Sequence, residues 1–590
     1  MSIDIETYRL KAQEAIEYVF VKEYHNSLGI PMPIVKMLLP DDANYSTGQY
    51  YITIDKTWQI HLNFGKLPIS YHEFQNEVKV LTRHEIEHYM CCPFDVITHF
   101  RMLKRIRDVY YKHFSHLGIN IEYACGAISN QAADIIVDTK NYYRHSKETL
   151  KSEIDWIKIG ANISACPRHC KLMFLTKEAI WKEDLGINET DPEFLKIVHQ
   201  LADSFTKNGI EDKSSFLDKV EEYAEIFFKL YVEDQKNPQQ SSQQGSQQQS
   251  GQQGSQQQSG QQGPQQQSGQ QGSQQQSGQQ GSQQQSGQWG VGRPKDGDEH
   301  GNAFVFADPD KVKEAIEVLA EETSVEEFID LLAIAGIIGM SDKQKGVLWF
   351  NVQSANIIPI VEFSNTGNKS SYTYPSVWRI GDPIEELDLM LTYMTSPRLI
   401  PGMTTKKWEY VSNDDNGTES KQMDLLLVVD TSGSMGSVMK ESANMHQAVL
   451  ASYGILSYFE STKSKVAFIG FSDKIDAYVD WSDKYDDVRE RLLTNGHGGT
   501  KFPISRIKST LDVRSRDLVT VLITDGDLGN INESVSYFRD YLNDDNKLYI
   551  FLLGGSKSLH SYEPLKNIGA KIYNANNANE FCDMVLTDME

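Results

Sequence analysis

The chain has 590 residues and a formal net charge of −24 at pH 7, and we expect two or three domains because a single hydrophobic core stops growing at roughly 250 to 300 residues. The acidic balance excludes a nucleic-acid-binding protein, which would need a basic stripe on its surface. No run approaches the roughly 18 apolar residues of a membrane span, so an integral membrane protein is also excluded.

The first ten residues, Met1 to Leu10, carry neither a basic leader nor a long apolar core. We therefore expect a protein of the cytoplasm. The six cysteines, two of which are adjacent, have no regular spacing. They do not suggest a disulfide scaffold.

The first chemical motif lies in a segment with helical character, Glu77 to Met90, which contains His84-Glu85-x-x-His88. Residues four apart on a helix share one face, so the two imidazoles can bind one Zn²⁺. Glu85, beside the first histidine, is placed to act as general base on a zinc-bound water. The motif therefore predicts a zinc site with hydrolase chemistry.

A zinc hydrolase needs a third protein ligand. A metzincin would have Gly at position 91 and His at position 94, where this chain has Cys91 and Phe94, so that class is excluded. Downstream, Asn130, Asp134 and Asp138 are spaced four residues apart and would lie on one face of a predicted helix. This face is the candidate source of the missing ligand.

The spacing of these two segments resembles that of the gluzincins, in which a downstream Glu-x-x-x-Asp supplies the third ligand and a carboxylate that orients a ligating histidine. The resemblance implies that Asp134 is the third zinc ligand and that Asp138 orients an imidazole. Two features differ from the family pattern. Glu87 is charged where zincins usually carry an uncharged residue, and Asp134 stands where gluzincins use Glu. The alternative is that the acidic pair belongs to a solvated helix face.

Cysteines allow a further metal hypothesis. Cys166, His169 and Cys170 could join Cys91 and Cys92 in a structural zinc site, because thiolates and imidazole are preferred zinc ligands. Their spacing is not that of a zinc ribbon or finger. Buried, reduced thiols are the alternative.

From Pro238 to Gln288 the chain is a repeat of Gln, Ser and Gly. This composition has almost nothing apolar to bury, so we predict a disordered linker over residues 236–295. A coil of about 50 residues spans on the order of 40 Å and keeps its flanking domains at high mutual concentration. An aggregation-prone glutamine tract is the alternative, which the regular Gly and Ser disfavour.

The region 296–415 looks like a folded bridge of helices and strands. Pro309 opens a predicted amphipathic helix, and Ser324-Val-Glu-Glu327 is a capping box before a second one. The apolar runs Val347–Val352 and Ile357–Phe363 are predicted strands. Paired helices here could dock a partner or simply pack on these strands, and no chemistry follows from the region.

The C-terminal region alternates short apolar runs with helical segments. Predicted strands cover Asp424–Asp430, Lys465–Phe471, Leu518–Thr524 and Lys547–Leu553, with a short edge at Lys571–Tyr573, and a helix is predicted over Glu441–Phe459. This alternation predicts a parallel sheet covered on both faces. Such sheets bind ligands beyond the carboxyl ends of their strands, at the topological switch point.

The first of these strands ends in Asp430-Thr-Ser432-Gly-Ser434, which offers a carboxylate and two hydroxyls. Oxygen donors on a tight loop suit Mg²⁺, which prefers octahedral oxygen ligands. Two further loops, 496–500 and 524–527, would lie at the same edge of the sheet. The sequence therefore predicts a magnesium site, although a solvated serine-rich turn is the alternative for the loop alone.

These features together resemble the von Willebrand factor A (VWA) family over residues 420–590. The resemblance implies a metal-ion-dependent adhesion site that holds Mg²⁺ and keeps one position open for a carboxylate of a partner. Carried over position by position, its ligands are Asp430, Ser432, Ser434, Thr500 and Asp525.

Across both ends the chain resembles a bacterial and archaeal family of predicted metallopeptidases that combine a His-Glu-x-x-His domain with a C-terminal VWA domain. The resemblance implies a zinc-dependent metallopeptidase whose VWA domain recruits substrate or partner. Residues 555–558 lack the Gly-Lys step of a phosphate-binding loop, so we expect no ATP hydrolysis. Intracellular VWA proteins of this type commonly work with a separate MoxR-type AAA+ ATPase, and a non-catalytic adaptor for such a complex is the alternative.

The expected fold is multidomain. It consists of a mainly α, zincin-like metallopeptidase domain, a disordered Gln/Ser/Gly linker, a bridging region and an α/β, Rossmann-like VWA domain. The predicted boundaries are 1–235, 236–295, 296–415 and 420–590.

Overall fold

The computed structural model describes residues 5–42, 45, 50–54, 58–64, 70–160, 163–236, 309–337, 340–357, 372–377, 406–410, 423–514, 517–526, 528–544, 546–553 and 559–575. The chain forms two compact units, Met1–Leu319 with Leu331–Ile337 and Ala320–Asp330 with Ile338–Glu590. The first is mostly helical and is called the helical unit; the second contains the larger sheet and is called the α/β unit. The predicted linker lies, from residue 237 onward, outside the described residues.

The helical unit combines long helices with one small sheet. Strand β3 (Gln59–Phe64) pairs in parallel with β1 (Ile34–Met37) and antiparallel with β2 (Tyr50–Ile54). The helices before the linker are α1 (Ile5–Glu17), α2 (Tyr71–Met90), α3 (Val96–Val109), α4 (Ile121–Gly160), α5 (Arg168–Trp181), α6 (Pro192–Thr206) and α7 (Phe216–Lys236). Among the described residues, no helix is both long and apolar enough to cross a bilayer.

Helix α2 carries the His-Glu-x-x-His motif, as the sequence predicts. It begins earlier than expected because Ser70 caps it: the Ser70 hydroxyl accepts a hydrogen bond from Glu73 N at 3.4 Å. One face of α2 buries Phe74 and Val78 in a core shared with α1 and β3. This packing fixes the rotation of α2 about its axis, and with it the direction in which the motif points.

Helix α4 is 40 residues long and leaves helical geometry at His145. It packs against α2, α3, α5 and α7, so its first half runs through the middle of the helical unit. Ala132, Ile135 and Ile136 are fully or almost fully buried there. The predicted helix over Asn130–Asp138 is confirmed.

The bridging region consists, where it is described, of α8 (Pro309–Glu321), α9 (Val325–Ile334), α10 (Asp342–Ile357) and an antiparallel pair, β4 (Tyr372–Val377) and β5 (Lys406–Tyr410). The predicted capping box forms: Glu327 N donates to the Ser324 hydroxyl at 3.3 Å, and Ser324 N donates to the Glu327 carboxylate at 3.2 Å. This reciprocal pair sets the start of α9.

The predicted strand Val347–Val352 is wrong, because these residues lie inside α10. A second capping box starts this helix: Gln344 N donates to the Ser341 hydroxyl at 3.3 Å, and Ser341 N donates to the Gln344 side chain at 2.9 Å. A short apolar run fits a buried helix as well as a strand, so the cap, not the run, decides. The other predicted strand lies, after Ile357, outside the described residues.

The α/β unit is built on a six-stranded sheet in the order β11-β10-β9-β6-β7-β8. Its strands are β6 (Asp424–Asp430), β7 (Val466–Phe471), β8 (Ile475–Ser482), β9 (Leu518–Thr524), β10 (Lys547–Leu553) and β11 (Lys571–Ala575). Its helices are α11 (Asn444–Ser461), α12 (Tyr485–Leu492), α13 (Ile504–Leu511), α14 (Val535–Asn543) and α15 (Leu559–Lys566). The predicted strands are confirmed, and all pair in parallel.

Strand β8 was not predicted and pairs antiparallel with β7 at the edge of the sheet. Its residues are mostly half-exposed, whereas β7 and β9 are buried throughout. An edge strand with water on its outer side needs no continuous apolar run, so the sequence pattern does not predict β8. The other five strands are parallel, and the four inner ones, β10, β9, β6 and β7, are buried as expected for a sheet covered on both faces.

The topology places a switch point at the end of β6. The chain leaves β6 for β7 on one side and later returns to β9 on the other, so both neighbours of β6 run parallel to it. A crevice opens where the two connections diverge. Asp430, the last residue of β6, lies at this crevice.

Candidate metal centres

Three candidate ligand atoms converge between α2 and α4. His84 Nε2, His88 Nε2 and an oxygen of Asp134 all lie within 4.8 Å of one another. The two Nε2 atoms are 3.1 Å apart, and Asp134 Oδ1 is 3.5 Å from His84 Nε2 and 3.2 Å from His88 Nε2. Among the described residues, this is the one group of three or more His, Cys, Asp and Glu side chains placed to hold a metal ion.

The outer nitrogen of each imidazole is already engaged. His84 Nδ1 lies 2.7 Å from Asp138 Oδ1, and His88 Nδ1 lies 2.9 Å from the carbonyl oxygen of Cys92. A carbonyl or an ionised carboxylate only accepts hydrogen bonds, so each Nδ1 carries the proton in the neutral ring. Each Nε2 then presents a lone pair, and these two lone pairs face an oxygen of the Asp134 carboxylate. A cation bound between the three atoms would stabilise this arrangement.

The Asp134 carboxylate is also oriented to bind a cation. Its Oδ2 accepts a hydrogen bond from the Asn130 amide at 3.1 Å, while its buried Oδ1 has no hydrogen-bond donor among the described residues. Burial of a carboxylate oxygen without a donor is costly unless a positive charge lies nearby. Oδ1 therefore marks the side from which a cation would bind.

The charges around His84 also favour a bound cation. Burial opposes protonation of its ring, but the charge and hydrogen bond of Asp138, together with Asp134, outweigh it and raise the pKa of His84 to about 9. The site therefore attracts positive charge strongly enough to overcome desolvation. A proton satisfies this demand in part, and a divalent ion would do so more fully.

The two glutamates of the motif have different surroundings. Glu85 follows His84 and is 7% exposed. Glu87 is fully buried, and its carboxylate lies 2.8 Å from Lys140 Nζ and 2.9 Å from Arg144 Nη1. The charge at position 87, which departs from the usual motif, thus belongs to a buried ion-pair cluster that pins α2 to α4.

A small cavity adjoins the imidazole of His88. Its volume is about 10 Å³, and it is lined by His88, Pro93, His99, Gly126, Ser129, Asn130 and Ala133. This is room for about one water molecule, and the polar lining suits one.

The structural zinc site suggested by the cysteines does not form among the described residues. Over the part of the chain that the structure describes, Cys91, Cys92, Cys166 and Cys170 form no disulfide and join no metal-binding group. His169 Nδ1 is instead 2.8 Å from a carboxylate oxygen of Asp234. Burial raises the pKa of Cys91 to about 11 and that of Cys170 to about 12, so these side chains are protonated thiols. The alternative of buried, reduced cysteines fits.

The second candidate centre lies at the end of β6. Asp430 is fully buried; its Oδ2 accepts a hydrogen bond from the Thr524 hydroxyl at 2.6 Å, and its Oδ1 accepts one from Ser432 N at 2.9 Å. The hydroxyls of Ser432 and Ser434 are 3.1 Å apart, and Ser434 donates to Asp525 Oδ1 at 3.0 Å. Four of the five predicted oxygen ligands are thus linked in one chain of hydrogen bonds.

Thr500 is the one predicted ligand that lies outside this series of hydrogen bonds. Its loop reaches the centre through its backbone, because Gly498 O accepts a hydrogen bond from Gly433 N at 3.2 Å. Among the described residues, no hydrogen bond joins the Thr500 side chain to the other four. The structure therefore brings this loop to the centre by its backbone and links four of the five predicted ligands through hydrogen bonds.

Two residues of this centre were missed from the sequence. Thr524 bonds Asp430, and Asn444, the first residue of α11, donates to Asp525 Oδ2 at 3.2 Å. Burial raises the pKa of Asp430, and the nearby charge of Asp525 adds to the effect. Two carboxylates held this close favour a bound cation.

Comparisons with known proteins add little. No protein-family model matches the chain, and no curated protein matches it. Among solved structures, the chain is similar to the conserved hypothetical protein BatB from Bacteroides thetaiotaomicron, with 13% sequence identity and a TM-score of 0.24. The match covers 28% of this chain and 98% of that chain.

Proposed function

We propose that this chain is a zinc-dependent metallopeptidase whose C-terminal VWA domain recruits a substrate or partner through a Mg²⁺-bridged carboxylate. The observation that carries the proposal is the convergence of His84 Nε2, His88 Nε2 and Asp134 Oδ1 on one point. Two imidazoles and a carboxylate are a ligand set that catalytic zinc sites use, with a fourth position left open. This arrangement is what the zincin resemblance implies.

The residues around this point have separable tasks. Asp138 and the Cys92 carbonyl hold the imidazole rings by Nδ1, so that both Nε2 atoms face inward. Bound zinc would supply Lewis-acid activation of a water and of a peptide carbonyl. We assign Glu85 to take the proton from the attacking water.

The second centre supports the recruiting half of the proposal. Asp430, Ser432, Ser434 and Asp525 present oxygen atoms at the switch point of a parallel sheet, where the VWA resemblance expects its metal. Thr500 completes the set if its loop turns its hydroxyl inward. A carboxylate of the partner would take the open position on Mg²⁺, and a MoxR-type AAA+ ATPase remains the partner that the resemblance implies.

One observation favours the alternative, a non-catalytic VWA adaptor for such an ATPase. His84, His88 and Asp134 are only 7%, 6% and 8% exposed, and the adjoining cavity of about 10 Å³ has no room for a peptide. In this alternative, zinc holds α2 to α4 and no substrate reaches it.

Metal analysis of the purified full-length protein tests the proposal. We expect one zinc per chain, which His84→Ala removes and Glu85→Gln leaves in place. His72→Ala is the matched control, because His72 lies on the same helix and is exposed. An unstructured fluorescent casein should be cleaved by the wild type and not by Glu85→Gln. Zinc without cleavage in either protein would favour the adaptor, and absence of zinc from the wild type would refute the zinc site.

A further inference from the structure

A buried chain of charges lies behind the imidazole of His84. Asp138 accepts from His84 Nδ1 with its Oδ1, and its Oδ2 is 3.0 Å from Lys177 Nζ. Lys177, on α5, also forms an ion pair with Glu153, on α4. The candidate metal centre is thus connected, through one carboxylate, to a lysine that the sequence did not single out.

Lys177 has no access to water that could replace these partners. Its side chain is 2% exposed, and its Nζ lies 5.1 Å from the ring centre of Phe174 and 5.9 Å from that of Trp181. An ammonium group buried among aromatic rings must keep its carboxylate partners, because loss of a partner leaves an uncompensated buried charge, which is strongly destabilising. Its position is therefore fixed by α4 and α5 together.

We infer that Lys177 is a positioning residue of the metal centre: by holding Asp138 Oδ2, it directs Oδ1 to His84 Nδ1 and so aims the Nε2 lone pair of His84 at the metal. The inference rests on the zinc site proposed above. A carboxylate turns about its terminal torsion with little resistance. Lys177 on one oxygen and His84 on the other define a single orientation, which neither partner would define alone.

The test compares two buried lysines of the same helix in the full-length protein. Lys177→Met keeps the length of the side chain and removes its charge. Lys171→Met is the matched control, because Lys171 is 8% exposed and pairs with Glu189 at 2.9 Å. Zinc affinity is measured by competition with a chromophoric chelator, and cobalt(II) replaces zinc for absorption spectroscopy. We expect Lys177→Met to weaken zinc binding by about tenfold or more, the usual effect of losing an outer partner of a ligand. The cobalt spectrum should change as well, and Lys171→Met should change neither.

A double variant separates positioning from charge balance. Lys177→Met combined with Glu153→Gln removes one buried charge of each sign, so it should restore thermal stability without restoring zinc affinity. Recovery of zinc affinity in the double variant would overturn the inference, and so would unchanged affinity in a folded Lys177→Met. If the wild type binds no zinc, the proposed function fails and the inference fails with it. Zinc in the wild type with normal affinity in Lys177→Met refutes the inference alone.

Discussion

Asp138 Oδ1 lies 2.7 Å from His84 Nδ1, so in the neutral, metal-binding form of the ring the proton lies on the nitrogen that faces away from Asp134. The contact joins α2 to α4 and selects the tautomer that can bind a metal through Nε2. A motif on one helix is therefore completed by a residue on another. The first prediction follows from this contact.

Asp138→Asn should weaken zinc binding by about 10- to 100-fold, because an amide has no net charge and can offer its NH₂ group to Nδ1 as readily as its oxygen. Chelator competition measures the loss. Asp155→Asn on the same helix is the control, since Asp155 has no hydrogen bond or ion pair to the three candidate ligands among the described residues. Equal zinc affinity in the two variants would contradict the assigned role of Asp138.

Glu87→Ala should lower the free energy of unfolding by about 3 kcal/mol, because it removes the buried carboxylate 2.8 Å from Lys140 Nζ and leaves that lysine only the exposed Glu211, at 3.2 Å. The denaturant midpoint of the helical unit reports the loss. Lys151→Ala removes an exposed ion pair between the same two helices, from Lys151 on α4 to Glu73 on α2 at 2.9 Å, and should cost less than about 1 kcal/mol. A Glu87→Ala protein as stable as this control would show that the buried cluster does not hold α2 in place.

Asp525→Asn should have opposite effects with and without Mg²⁺. Without Mg²⁺ it should leave stability equal or slightly higher, because burial raises the pKa of Asp430 and the substitution removes the nearby charge of Asp525 that adds to this effect. With Mg²⁺, the wild type should gain about 2.7 kcal/mol at a concentration one hundred times its dissociation constant, and the variant should gain almost nothing. Thermal unfolding with Mg²⁺ or EDTA makes the comparison. A variant that gains as much as the wild type would exclude Asp525 as a ligand.

Gly496→Ala should disturb the second centre through its backbone. A Cβ at this position would lie 2.4 Å from Thr431 O and 2.5 Å from both the Thr431 hydroxyl and an Asp476 oxygen. Thr431 separates Asp430 from Ser432, so relief of this clash must move the ligand loop. We expect a loss of about 1 to 3 kcal/mol and weaker stabilisation by Mg²⁺.

Gly499→Ala, in the same loop, is the matched control for this change. Apart from its two chain neighbours, no described residue has an atom within 4 Å of the Cβ that alanine would add. It should therefore leave both stability and the Mg²⁺ effect unchanged. Similar losses in the two variants would mean that loop flexibility, and not the clash with Thr431, governs the centre.

The α/β unit should lose stability as the pH falls from about 7 to 5 in part through His446. Burial lowers the pKa of His446 below its ordinary value of 6.5, although its hydrogen bond to Val438 O opposes the shift. The unfolded chain therefore binds a proton that the folded chain rejects, so this contribution is present above that value and is lost below it. His446→Gln should flatten the pH dependence of the unfolding midpoint. An unchanged slope would contradict the assignment.

Local sequence predicted most of the inner sheet and the motif helix. Strands such as β9 and β10 are continuous apolar runs because both of their faces are buried, and this pattern is visible without any partner. The spacing of His84 and His88 likewise needs only helix geometry. Asp134 could not be assigned as a ligand from helix spacing alone, and only the gluzincin resemblance implied that role.

What the sequence could not predict depends on tertiary contacts. Lys177, the Cys92 carbonyl and Asn444 each contact a metal-centre residue from another element or from a turn, and nothing in their neighbouring residues marks them. Such contacts form only once the helices are packed. The strand predicted inside α10 has a different, local cause: a short apolar run fits either element, and the capping box of Ser341 and Gln344 that starts the helix was overlooked.

The packing of α10 on α11 makes Trp349 a natural optical probe. Its indole lies 5.4 Å from the ring of His446, on the helix whose first residue, Asn444, is hydrogen-bonded to Asp525. Any displacement of that helix when a cation or a partner carboxylate arrives changes the surroundings of the indole. The fluorescence emission of Trp349 therefore reports on the second centre. The chain has eight tryptophans, and comparison with a Trp349→Phe protein shows how much of the total emission comes from Trp349.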